Sequence, residues 1–132
     1  MGGKLIDFAG HSKRIERSLN ELEMQKPDAF DDLLDIHREL VRLNDIDEGM
    51  IYLQVSRGSA GDRDFAYPSA DVKPTLVLFT QSKPNLADNP VAKIGIKVIS
   101  IEDQRWGRRY IKTVQLVFSS MGKIITKVHG LP

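Results

Sequence analysis

Apolar positions in the first third of the chain recur at helical spacing. Between Gly10 and Met24, Ile15, Leu19 and Leu22 fall on one stripe with charged residues between them, which predicts an amphipathic helix that Lys26-Pro27 stops. Asp28 then stands where a cap would, ahead of Phe30, Leu33, Leu34, His37, Leu40 and Val41, whose spacing predicts a second helix. Turn formers from Asn44 to Gly49 close the helical pair. From Met50 the period changes to two: Ile51, Leu53, Val55 and Arg57 share one strand face, and Tyr52, Gln54 and Ser56 the other. Gly58 to Pro68 is a loop, and Pro74 leads into Thr75-Leu-Val-Leu-Phe-Thr80, an apolar run that predicts a strand covered on both faces.

Gln81 to Pro90 holds two prolines, two asparagines and a serine and is the best linker candidate. Beyond it, Gly95 to Ile101 predicts a strand and Tyr110 to Val117 an extended segment. Ser119 to His129 predicts a helix weakened by Gly122 and the β-branched run Ile124-Ile125-Thr126. Two helices followed by strands imply an α+β arrangement, with a second sheet region beginning near residue 91.

Composition narrows the classes. The 132 residues include 41% hydrophobic and 28% charged residues, a mix that can bury a core. Nineteen basic residues against eighteen acidic ones give a formal charge of +1, without a block of one sign that would suggest nucleic acid or an anionic membrane. Cysteine is absent, which removes disulfides, zinc knuckles and thiol nucleophiles. No His, Asp and Glu spacing suggests a metal site. The amino terminus lacks an apolar signal region and no apolar run reaches membrane-spanning length, so a cytoplasmic protein is expected.

Specific strings carry the reading further. Ile51-Tyr-Leu-Gln-Val-Ser-Arg-Gly58, Lys73-Pro-Thr75, Glu102-Asp-Gln-Arg-Trp-Gly-Arg108 and Ile111-Lys-Thr-Val-Gln-Leu116 occur in that order, after a helix opening with His11-Ser-Lys-Arg14. Together they resemble the first half of D-amino-acid aminotransferases, within the class IV (fold type IV) family. The resemblance covers nearly the whole chain. It implies a small α/β sandwich domain followed by the start of a second, β-rich domain. The boundaries expected are residues 1–83 for the small domain, incomplete at its amino terminus, 84–93 for a linker, and 94–132 for the beginning of a larger cofactor domain. It also implies that the first small-domain strands precede residue 1. The acidic partner of the pyridinium nitrogen and most of the phosphate cup would follow residue 132.

The same resemblance implies pyridoxal 5'-phosphate as cofactor, an amino acid (a D-amino acid such as D-alanine) and a 2-oxo acid as substrates, and a homodimer. Lys112, within Tyr110-Ile-Lys-Thr113, matches the lysine that forms a Schiff base with the cofactor aldehyde and shuttles the α-proton. By pattern alone it would be a solvated edge-strand lysine. The family usually has Asp where this chain has Tyr110. Arg14 matches an arginine that reaches the cofactor phosphate, a role suited to a planar cation with several donors. By pattern alone it is a surface helix arginine beside Glu16 and Arg17, and His11 one turn earlier packs or caps. Arg63, in Asp62-Arg-Asp-Phe-Ala-Tyr-Pro68, resembles an arginine that crosses a dimer interface to grip the substrate carboxylate. Phe65 stands where the family commonly has His. Arg57 matches a structural strand-end arginine, Trp106 a packing residue, and His37 reads as a satisfied core histidine. Arg105, Arg108 and Arg109 offer positive field near Lys112. The alternatives are a truncated, inactive chain acting at most as an interaction domain, or a relative of aminodeoxychorismate lyase or branched-chain aminotransferases.

Overall fold

The computed structural model describes residues 2–62, 67–103, 105–128 and 130. The chain divides into two compact units, Met1–Ala87 and Asp88–Pro132. The first holds α1 (Phe8–Glu21), α2 (Leu33–Leu43), β1 (Gly49–Ser56) and β2 (Thr75–Ser82); the second holds α3 (Val91–Ile94) and α4 (Val117–Val128). The class is α+β.

In the first unit, the predicted helical stripes form the core. Leu19 of α1, Phe30 and Leu33 are buried together, with Phe8, Ile15, Met24, Leu53, Val55, Leu76 and Leu78 packed around them. Both helices end in the same way. Glu23 and Asp45 adopt φ of +51° and +48°, turning the chain out of the helix. Met24 N then donates to Leu19 O at 2.9 Å, and Ile46 N to Val41 O at 3.0 Å, the six-to-one bonds of a Schellman closure. His37 lies half-buried on α2, its Nδ1 2.6 Å from the carbonyl oxygen of Leu33 and its ring edge-on to Phe8 at 5.2 Å. A carbonyl can only accept, so Nδ1 carries the proton, and the histidine is satisfied locally.

β1 and β2 form an antiparallel pair, in register from Gly49↔Ser82 to Ser56↔Thr75. Leu53, Val55, Leu76 and Leu78 face the helices. Tyr52 and Phe79, directly opposite each other on the other face, stack at 4.8 Å and stay 42% and 51% exposed. The coverage of β2 on both faces expected from its apolar run is therefore corrected: its burial alternates, because helices pack on one side only of this two-stranded sheet. Gly58 follows β1 at φ +87°, and a Cβ there would lie 2.2 Å from the carbonyl oxygen of Lys73, so both conformation and space require glycine.

Two further expectations are corrected. The cap of α2 is Asp32 rather than Asp28, and it makes no side-chain cap hydrogen bond. Residues 28–32 are instead a turn, in which Phe30 N donates to Pro27 O at 2.9 Å, and Asp28 pairs with Lys73 at 2.6 Å. In the second unit, Gly95 to Ile101 and Tyr110 to Val117 do not form strands among the described residues. A strand exists only when its N–H and C=O groups meet a ladder partner, and neither segment has one there. The expected carboxy-terminal helix is present as α4, beginning two residues early. The one buried hydrophobic side chain described in this unit is Ile111, 2% exposed, whereas Ile94, Val98, Val117 and Val128 all stand more than 70% open.

Candidate functional site

Arg14 occupies the middle of α1, and its placement follows from the helix stripe. Leu19 and Ile15 turn inward, which leaves Arg14 half-buried at the edge of the packed face. Its Nη2 donates to His11 Nδ1 at 3.0 Å, one turn back on the helix. The Ser18 hydroxyl donates to the Arg14 carbonyl oxygen at 3.0 Å. The histidine thus holds the guanidinium along the helix, and a stronger acceptor such as a phosphate dianion could take the place of the ring nitrogen.

Lys112 belongs to the second unit, in the turn-rich stretch between Trp106 and α4, instead of the strand expected from sequence. Its neighbour Ile111 is the buried anchor, and Ile111 N donates to Arg108 O at 3.1 Å. With Ile111 turned in, Lys112 is exposed and lines a depression of about 70 Å³ together with Arg105, Trp106, Arg109, Thr113 and Ser119. Trp106 is half-buried along this wall instead of filling a core.

The positive field expected around Lys112 is offset in part by one carboxylate. Asp103 binds Arg105 at 2.6 Å and approaches Arg109 Nε at 3.4 Å, while Arg109 Nη2 also donates to the Asp103 carbonyl oxygen. The hydrogen bond from Arg105, with the charges of Arg105 and Arg109, holds the Asp103 carboxyl well below the usual carboxylate range. Sequence reading passed over Asp103; an acid two residues before an arginine is the pattern that could have suggested the pair. Arg108 Nε donates to the Tyr110 hydroxyl at 3.1 Å, which gives the departure at Tyr110 a partner.

Arg63 and Phe65 lie outside the described residues. Arg14 belongs to the first unit and Lys112 to the second. Among the described residues, no group of three or more His, Asp and Glu could hold a metal, and no helix is long and apolar enough to cross a membrane.

The donor chemistry fits a phosphorylated aldehyde. The depression supplies a primary amine, two guanidinium groups and two hydroxyls. Its volume of about 70 Å³ is well below the roughly 300–1,000 Å³ of sites that enclose a small molecule, so it can grip one end of such a group and not surround it.

Comparison with known proteins completes the picture. The family model for amino-transferase class IV matches residues 1–126. D-alanine aminotransferase of Staphylococcus aureus (strain MSSA476) is 33% identical over 129 residues, covering 98% of this chain and 43% of the relative. The enzyme of that name from Staphylococcus haemolyticus is 34% identical with the same coverage. That from Listeria monocytogenes serotype 4b (strain F2365) is 30% identical over 126 residues, covering 95% of this chain and 42% of the relative. The chain therefore spans less than half the length of the curated relatives it matches.

Proposed function

The chain belongs to the class IV aminotransferases, and from that premise we propose that it serves transfer of an amino group between an amino acid and a 2-oxo acid. The observation that carries this reading is the family match across residues 1–126, which takes in the Lys112 segment. The names of the relatives favour a D-amino acid such as D-alanine as donor.

Pyridoxal 5'-phosphate, when bound, supplies an aldehyde that takes up amines and a ring that accepts electrons from the substrate α-carbon. The chain's own residues divide the remaining work. Lys112 Nζ would hold the cofactor through its aldehyde and would serve as the base that takes and returns the substrate α-proton. Arg14, whose guanidinium rests on His11 Nδ1, would hold the cofactor phosphate, a stronger acceptor than the ring nitrogen. Arg63 receives the substrate carboxylate from its loop. Asp103 holds Arg105 and Arg109 in place beside Lys112 and offsets one of their two charges, leaving that wall of the depression cationic. The division between Ala87 and Asp88 supports a small domain over 1–83, a linker over 84–93 and the beginning of a cofactor domain over 94–132. A cytoplasmic homodimer completes the reading.

The test is turnover of D-alanine with a 2-oxo acid, the product amino acid being resolved by chirality, in the protein translated from its complete reading frame. Lys112→Ala removes the proton shuttle, and loss of general acid–base catalysis alone lowers turnover by about 10²–10⁴-fold. Wild-type turnover by Lys112→Ala would rule out the assignment.

A further inference from the structure

The formal charge of +1 is the sum of two unlike units. Met1–Ala87 holds eleven lysines and arginines against fifteen aspartates and glutamates, whereas Asp88–Pro132 holds eight against three. From Arg105 to Pro132 the sequence contains no Asp or Glu, and Asp103, just ahead of that run, is engaged with Arg105 and Arg109. α4 gives this basic unit an apolar side. Val117, Met121, Ile124 and Val128 follow one another at spacings of four, three and four, which places them on one stripe of the helix. They are 78%, 52%, 61% and 79% exposed. The adjoining side is the one that packs: Phe118, Gly122 and Thr126 are half-buried, and a Cβ on Gly122 would lie 3.2 Å from Ile101 Cδ1. The two charged residues of the helix, Lys123 and Lys127, are both exposed.

We propose that α4 is a peripheral membrane-binding helix, which lays its open stripe on an anionic lipid surface while Lys123 and Lys127 reach the headgroups. Its twelve residues make a helix about 18 Å long, well short of the roughly 30 Å hydrocarbon core. It therefore lies in the plane of the interface instead of crossing it. Charge complementarity selects this occupant over the others. A second copy of the helix would bring the same lysines against each other, with no acid on either helix to answer them. A nucleic-acid backbone would take the lysines and leave the apolar stripe in water. An anionic bilayer meets both demands: the stripe enters the acyl boundary, and the lysine stems run along it with their ammonium groups at the phosphates. The inference goes beyond aminotransfer and does not depend on it, since none of the four stripe residues is among those lining the Lys112 depression.

Co-sedimentation of the 132-residue chain with lipid vesicles tests this, comparing phosphatidylcholine alone with an equal mixture of phosphatidylcholine and phosphatidylglycerol. The chain is expected to bind the mixed vesicles and not the neutral ones, and to be released as salt rises from about 0.1 M to 1 M and the Debye length falls from about 10 Å to 3 Å. Lys123→Gln with Lys127→Gln should weaken binding about thirtyfold, about fivefold for each lysine near the surface. Ile124→Gln should weaken it about tenfold with both lysines kept. These side chains are exposed, so circular dichroism of the free variants should match the wild type. Equal binding to both vesicles, or wild-type binding by Ile124→Gln, would overturn the proposal. A dimer that Ile124→Gln dissociates, with no chain captured by either vesicle, would assign the stripe to a second copy and overturn it too. The protein from the complete reading frame should show the same lipid dependence; its failure to bind would mean that another part of the chain covers the stripe, and would reject the proposal.

Discussion

Replacing Gly58 by alanine perturbs two things that can be separated. At φ +87° any residue with a Cβ is strained, at about 1–3 kcal/mol. Gly61, at φ +88°, carries the same conformational demand, but a Cβ there would meet nothing within 4 Å. At Gly58 the added atom would lie 2.2 Å from the Lys73 carbonyl oxygen and 2.8 Å from Val72 Cγ1. The first of these is backbone and cannot rotate away, so the hairpin must part next to its last pair, Ser56↔Thr75. Overpacking of this kind adds about 1–3 kcal/mol. Gly61→Ala should therefore lose about 1–3 kcal/mol and Gly58→Ala about 2–6 kcal/mol. Urea unfolding followed by far-ultraviolet circular dichroism reads the difference. With slopes of about 1–3 kcal/mol per molar, the midpoint of Gly58→Ala should fall below that of Gly61→Ala by roughly 0.3–3 M. Equal midpoints for the two variants would refute the argument that backbone proximity, as well as torsion, requires glycine after Arg57.

Glu23→Gly relieves a left-handed torsion at the end of α1 and should stabilise the first unit by about 0.5–1 kcal/mol, net of glycine's extra chain entropy, as read by urea unfolding. A double-mutant cycle on Tyr52 and Phe79 should return a coupling of about 0.2–1 kcal/mol for the stacked cross-strand pair. Native-state hydrogen exchange should show slower amides around Leu19, Leu33 and the paired strands than anywhere in Asp88–Pro132, because the second unit has little buried apolar surface around Ile111. Pairing with Arg105 favours the ionised form of Asp103 in the folded chain. The stability it contributes is thus present above the ordinary aspartate pKa and is lost as pH falls toward the lowered folded value. Carboxyl-carbon shifts across an acid titration should show Asp103 protonating after the other aspartates, and Arg105→Gln should raise its pKa toward the ordinary range, with Arg109 still beside it.

The helices and the first strand were legible because each has one covered face, so burial wrote a period into the sequence. Ile15, Leu19 and Leu22, and later Leu33, His37 and Leu40, are the positions that turn inward. β2 misled because Val77 and Phe79 are apolar on the open face, which erased the alternation that Leu76 and Leu78 alone would have shown. Asp28 looked like a cap because it follows Pro27, yet its carboxylate went to Lys73, a residue forty-five positions away. The segment from Gly95 to Ile101 has strand composition, but composition does not supply a ladder partner. At the site, residue types were legible and partners were not. Lys112, Arg14 and Arg63 came from ordered strings, whereas Asp103 beneath two arginines and Tyr67 on Arg57 are contacts across irregular chain, where no period operates.

The amine that takes the cofactor decides the assignment of Lys112. The protein translated from its complete reading frame, incubated with pyridoxal 5'-phosphate, reduced with borohydride and mapped by peptide mass spectrometry, answers this at the level of single residues. The reduced cofactor is expected on Lys112, and Lys112→Ala should lose both the label and the visible absorbance of the bound cofactor. A label found on another lysine, with Lys112 unmodified, would contradict it.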